Sequence, residues 1–166
     1  MLHINTILFP TDLSATASQA LYLARSLARD HGARLMLFSA ATPPMPVPEF
    51  YVPMGEMVGQ VEELKRQIAG LAASIHDATV NWHVTEGEPG PAIVTYSEDI
   101  HANLIVMATH GRSGLSRLLL GSVTEYVMRH SHCPVLTVKP GEAERVSVEV
   151  AMAAQCDASF DLQHEY

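Results

Sequence analysis

The stretch ATHGRSGLSRLLLGS, residues 108–122, carries residue types that bind anions. Gly111 lets backbone approach a ligand with no Cβ in the way. Gly121 and Ser122 stand where a helix is expected to begin, and the free N–H groups and dipole of a helix start favour negative charge. The hydroxyls of Ser122 and Thr124 add donors, and Arg112 adds positive charge. Two groups of N–H donors joined by a loop that folds over its ligand suit a polyphosphate. A loop followed by an N-cap accounts for the same residues equally well at this level. Two familiar phosphate motifs are absent. A Walker A loop needs Lys directly before Ser or Thr, and no glycine of the stretch is followed by Lys. A dinucleotide fingerprint needs glycines after the first strand, where this chain reads PTDLS. In that first loop the Asp12 carboxylate can accept hydrogen bonds from ribose hydroxyls or cap a helix. Backbone groups near Ala40, after the second strand, can read an adenine edge.

These residues depend on the elements that hold them. HINTILF, residues 3–9, is an apolar, β-branched run that stops at Pro10 and reads as a first strand. Asp12 or Ser14 can cap the helix that follows, in which Ala17, Ala20, Leu21, Ala24, Leu27 and Ala28 recur at helical spacing. Gly32 ends it. RLMLFSAA, residues 34–41, is a second strand. Residues 42–53 hold five prolines and exclude regular structure. Met57, Val61, Leu64, Ile68, Leu71, Ala72 and Ile75 mark the buried stripe of a long second helix. Val80, Trp82 and Val84 alternate in a third strand over residues 79–87. Gly90 and Pro91 open a third helix over residues 91–100. NLIVMA, residues 103–108, is a fourth strand, a helix covers residues 122–129, and PVLTVK, residues 134–139, is a last strand.

Alternating strands and helices, with several strands apolar on both faces, predict an α/β Rossmann-like three-layer sandwich: a five-stranded parallel sheet with helices on both faces. Ligands of such sheets sit beyond the carboxyl ends of the strands, where the strand order reverses. That singles out residues 10–14, including Pro10, Thr11 and Asp12, together with 40–44, 85–89 and 108–122. Residues 141–166 fall outside the repeat and read as an extension on a domain of residues 1–140, packing on that domain or on a dimer interface. Val146, Val148 and Val150 alternate there as a short added strand would.

With 166 residues and 48% hydrophobic content, the chain can bury a substantial single core. A net charge of −8 argues against a general nucleic-acid binder. Only Cys133 and Cys156 occur, which fits a reducing compartment rather than a disulfide framework. No run approaches the ~18 apolar residues of a membrane span and no signal peptide is visible, so the expected location is cytoplasmic. Among nine histidines the HSHC cluster at residues 130–133 is densest, but it lacks the second Cys/His pair of a structural zinc site and reads as a polar turn. His110 reads as a contact or turn residue in the glycine stretch.

LFPTDLS near the start and VMATHGRSGLSRLLLGSVTEYVMRHSHCPVLTVK near the end resemble the universal stress protein family over about residues 1–140. ATP-binding members of that family carry G-2x-G-9x-G-[ST] on a five-stranded parallel sheet. Gly111 matches the second glycine, nine residues separate it from Gly121, and Ser122 supplies the hydroxyl residue. Ala108 replaces the first glycine. The resemblance implies that Asp12 meets ribose and the Ala40 backbone meets adenine. It further implies that Met107, Ala108, His110, Gly111, Arg112, Gly121, Ser122, Val123 and Thr124 line the ribose and phosphates. It implies a homodimer through the last strand, ATP with Mg²⁺ as the bound species, and a regulatory protein partner. The expected function is therefore an ATP-binding regulatory protein of the stress response. A slow ATPase or self-phosphorylating enzyme and a nucleotide-free dimeric scaffold are the alternatives.

Overall fold

Two strands buried along nearly their whole length occupy the middle of the sheet, because only a strand covered on both faces can bury every side chain. Thr6–Pro10 forms β1 and Leu104–Ala108 forms β4, hydrogen-bonded in parallel as neighbours. The computed structural model describes residues 3–42, 54–109 and 120–139, excluding the side chains of 54–58. Around the two central strands lie α1 (Ala15–His31), β2 (Arg34–Ala41), α2 (Met54–Ala73), β3 (Thr79–Glu86), α3 (Pro89–Asp99), α4 (Ser122–His130) and β5 (Val135–Val138). The sheet is parallel throughout, in the order β3-β2-β1-β4-β5. The chain builds outward from β1 to β3, crosses back to β4, and continues to β5. The order therefore reverses between β1 and β4.

Side-chain alternation divides the core into two layers. Ile7, Phe9, Leu35, Leu37 and Val106 pack with Ala17, Ala20, Ala24 and Ala28 of α1 and Ile68 of α2. Leu8, Met36, Phe38, Ile105 and Met107 pack on the opposite face with Ile93 of α3 and Val127 of α4. The alanine stripe of α1 lets that helix lie close to the sheet. On the other face a Cβ at Gly90 would come within 2.9 Å of the Tyr126 ring, so the approach of α3 to α4 needs glycine there.

Element boundaries differ from the sequence expectation in ways that have physical causes. β1 begins at Thr6 rather than at residue 3, because the Asn103 side-chain oxygen accepts the N–H groups of Asn5 (2.8 Å) and Thr6 (3.0 Å). Ile75 is buried but lies beyond the end of α2, and Leu27 is only half-buried. Helix α3 starts at Pro89, two residues earlier than expected, since proline suits the first helical turn at either position. Trp82 keeps 41% of its surface exposed, because β3 is an edge strand. No helix among the described residues is long and apolar enough to cross a membrane. Most of the proline-rich segment (residues 43–53) and the extension at 141–166 lie outside the described residues.

Candidate functional site

The β1–α1 corner is built from short polar side chains. The Thr11 N–H reaches the Phe38 carbonyl at 2.8 Å, which ends the pairing of β1 with β2. Thr11 Oγ1 then accepts the Leu13 N–H (3.0 Å), Asp12 Oδ1 accepts the Ser14 N–H (3.0 Å), and Ser14 Oγ accepts the Ala17 N–H (3.2 Å). Ser14, not Asp12, is therefore the N-cap of α1. Asp12 folds the loop instead, and Leu13 is held at φ 63°, a conformation rare for a side chain of its size.

The β4–α4 corner is held differently. The Gly121 N–H bonds the Thr109 carbonyl at 2.9 Å, and the buried Thr124 hydroxyl donates to the Ala108 carbonyl at 3.0 Å. These two bonds fix the start of α4 against the end of β4. The Thr124 proton is thereby committed to the backbone and is not an extra donor for a ligand. Gly121 is the N-cap and supplies no side-chain bond. An α-helix leaves its first N–H groups without intrahelical partners, so those of Ser122, Val123 and Thr124 remain to be satisfied from outside.

Between the corners lies a cavity of about 380 Å³. Of the sequence-derived site residues, Pro10, Thr11, Asp12, Ala40, Met107, Ala108, Gly121, Ser122, Val123 and Thr124 all line it. His110, Gly111 and Arg112 lie outside the described residues. The strand geometry explains the place of Ala40. The Phe38 carbonyl points toward β1, where it meets Thr11, and the Ala41 carbonyl points toward β3, where it accepts the Gly87 N–H at 3.0 Å. Alternation turns the N–H and C=O of Ala40 toward the β1 side, one step past the point where β1 has left the sheet.

Pro89, in the 85–89 segment singled out from the sequence, lines the cavity too, while sequence reasoning passed over four further lining residues: Ala17, Phe38, Ser39 and Ile93. Three of them read as core or helix residues and gave no signal. Ser39 gave one, since it is the lone polar residue between Leu35 and Ala41. A second cavity of about 800 Å³ opens beside the first and shares Asp12, Ser39, Ala40 and Pro89 with it. Its outer wall is α2, through Gly59, Gln60, Glu63, Leu64 and Gln67.

The histidines near residue 130 are engaged locally. His130 Nδ1 lies 2.8 Å from the Tyr126 carbonyl and its ring stacks on Tyr126, while His132 pairs with Glu98. Among the described residues no three His, Cys, Asp or Glu side chains gather as metal ligands.

The Universal stress protein family matches residues 3–139. The chain belongs to that family. It is 48% identical over 65 residues to Universal stress protein MJ0531 of Methanocaldococcus jannaschii, covering 39% of this chain and 38% of that protein. It is 36% identical over 84 residues to Universal stress protein MJ0577 of the same organism, covering 51% and 49%. These sequence matches thus span about half or less of the relatives' lengths. The solved structure of hypothetical protein MJ0577 superposes with a TM-score of 0.71 at 31% identity, over 84% of this chain and 97% of that one. A universal stress protein solved in complex with cAMP superposes with a TM-score of 0.60 at 25% identity, over 82% and 98%.

Proposed function

We propose that this family member binds an adenine nucleotide, ATP, at the reversal point of the sheet and acts as a regulatory protein through that binding. The observation that carries the reading is the pairing, across one cavity, of the Ala40 peptide edge with the uncapped start of α4. A peptide C=O and N–H side by side match the amino donor and ring-nitrogen acceptor of adenine. The α4 N–H groups suit phosphate. Asp12, between them, suits ribose. The relative bound to cAMP holds a ligand made of the same three parts.

Ala108, in the place of the first motif glycine, is compatible with this reading. Among the described residues positive φ outside glycine occurs only at Leu13 and His101, so the alanine bears no backbone strain. Its methyl belongs to the core layer under α1. Mg²⁺ would accompany the phosphates and take most of its ligands from them and from water. The commitment of the Thr124 hydroxyl to Ala108 favours binding over phosphoryl transfer to that residue. In the same reading the protein is a cytoplasmic homodimer that presents a nucleotide-dependent surface to a partner protein. The edge position of β5 and the 37% exposure of Leu136 support pairing through that strand.

Titration calorimetry with ATP tests the reading. Saturable binding with one nucleotide per chain, and phosphate release no faster than a slow background, is the expected result. Absence of saturable binding at millimolar ATP would select the nucleotide-free scaffold instead.

A further inference from the structure

Buried hydroxyls need partners, and among the described residues one makes no hydrogen bond to another. The buried polar residues among those described are Thr6, Thr11, Ser39, Ser97, Thr109 and Thr124. Thr6 Oγ1 accepts from Arg34 at 3.3 Å and Thr11 Oγ1 from the Leu13 N–H at 3.0 Å. Ser97 donates to the Val94 carbonyl at 2.7 Å, Thr124 donates to Ala108, and Thr109 is likewise engaged. The Ser39 hydroxyl makes no such bond, although the residue is only 4% exposed. An unsatisfied buried group of this kind is costly and calls for an explanation.

Position supplies one. Leu35 and Leu37 face α1 and α2, so Ser39, two residues further on, faces the same way. That direction is the second cavity, and Ser39 lies on the seam where the two cavities meet. The other polar residues lining that cavity are Asp12, Thr42, Gln60, Glu63 and Gln67. Gln67 donates to Glu63 at 2.9 Å, and Glu63 also pairs with Arg66. No Lys, Arg or His is among the described residues lining either cavity. Carboxylates, amides and hydroxyls, with no cation among the described lining residues, make a surface suited to sugar hydroxyls and a poor one for phosphate.

We infer that the seam and the α2-side cavity form a sugar subsite, in which the Ser39 hydroxyl joins Asp12 in reading the ribose hydroxyls of the bound nucleotide. The inference rests on the nucleotide reading above. It places the ribose hydroxyls at the seam, projecting toward the second cavity from a sugar held between adenine and phosphate in the first, and makes Ser39 a specificity residue for ribose.

The test compares ATP with 2′,3′-dideoxy-ATP, on the natural protein and on Ser39→Ala, by calorimetry. The natural protein is expected to prefer ATP. Ser39→Ala should lose about 3- to 10-fold in affinity for ATP, the worth of one hydrogen bond, and nothing for the dideoxy ligand. The unchanged dideoxy affinity controls for folding. Ligand-free Ser39→Ala should melt no lower than the natural protein, because no described group loses a partner. Equal loss for both ligands, no loss for ATP, or a melting point several degrees lower would each overturn the inference while leaving ATP binding intact. Failure of the natural protein to bind either ligand would overturn the nucleotide reading, and the sugar subsite with it.

Discussion

The two corners that flank the cavity solve one problem in opposite ways. Each follows a central strand and starts a helix, and each must find partners for the N–H groups that a helix leaves unpaired. At β1–α1 the Ser14 hydroxyl takes the Ala17 N–H of the helix itself, while Thr11 and Asp12 take the loop N–H groups of Leu13 and Ser14 just before it. Leu13 is bent into the left-handed region as a result, at a cost on the order of 1–2 kcal/mol. At β4–α4 the cap is Gly121, and the bonds that hold the corner run to the backbone of Ala108 and Thr109. Among the described residues, one corner, the closed one, caps its helix with a side chain, and the other, the open one, holds its helix start by bonds to the backbone and leaves the first donors unused. A helix start becomes a binding element when its frame is fixed by bonds that leave its own donors unused.

Four substitutions break or sharpen this contrast. Gly121→Asp should have the largest effect, because it turns the open corner into a closed one. At φ −62° and ψ 144° any residue fits, so Asp is expected to cap α4 and leave the fold intact or slightly more stable. The same carboxylate would stand where phosphate belongs, and ATP affinity should fall by at least about 100-fold. Calorimetry and a thermal melt on the same sample check both halves. Thr124→Val keeps the shape of the side chain but strands the buried Ala108 carbonyl. It should lower stability by about 1–3 kcal/mol in a urea titration.

Ser14→Ala removes the cap of the closed corner. It should cost about 1 kcal/mol of stability while leaving ATP affinity within about twofold of the natural value. A large loss of affinity there would mean that the two corners are not separable. The smallest effect belongs to a pair far from both. Arg25 donates to Asp77 at 2.8 Å, and this hydrogen bond holds the Asp77 carboxyl below the usual carboxylate range. The pair therefore adds stability at neutral pH, and the contribution is lost as the pH falls through that lowered value. With both side chains more than one-third exposed, Asp77→Asn should cost less than about 1 kcal/mol at pH 7, and that cost should shrink as the pH falls through the lowered value, measured by chemical denaturation.

The sequence revealed what depends on periodicity and on special residue types. Unbroken apolar runs marked the strands of a parallel sheet covered on both faces, and the candidate site was expected beyond their carboxyl ends. Gly121 and Ser122 announced the open corner. What stayed hidden was nonlocal or made of backbone. Nothing near residue 5 shows that Asn103 takes the N–H groups of Asn5 and Thr6 and delays the strand. Asp12 and Ser14 are equally good caps on paper, and only the turn at Leu13 decides between them. The Ala40 peptide edge depends on where its neighbour strand stops, not on the alanine itself. Ser39 stands out in the sequence as the lone polar residue of its strand, but its burial without a bond to another described residue is set by the fold.

The most direct measurement is to denature freshly purified protein and chromatograph what it releases. Near-stoichiometric ATP or ADP would show the cavity filled as the open corner and the Ala40 edge require. An empty protein that also fails to bind added ATP would contradict the account at its centre.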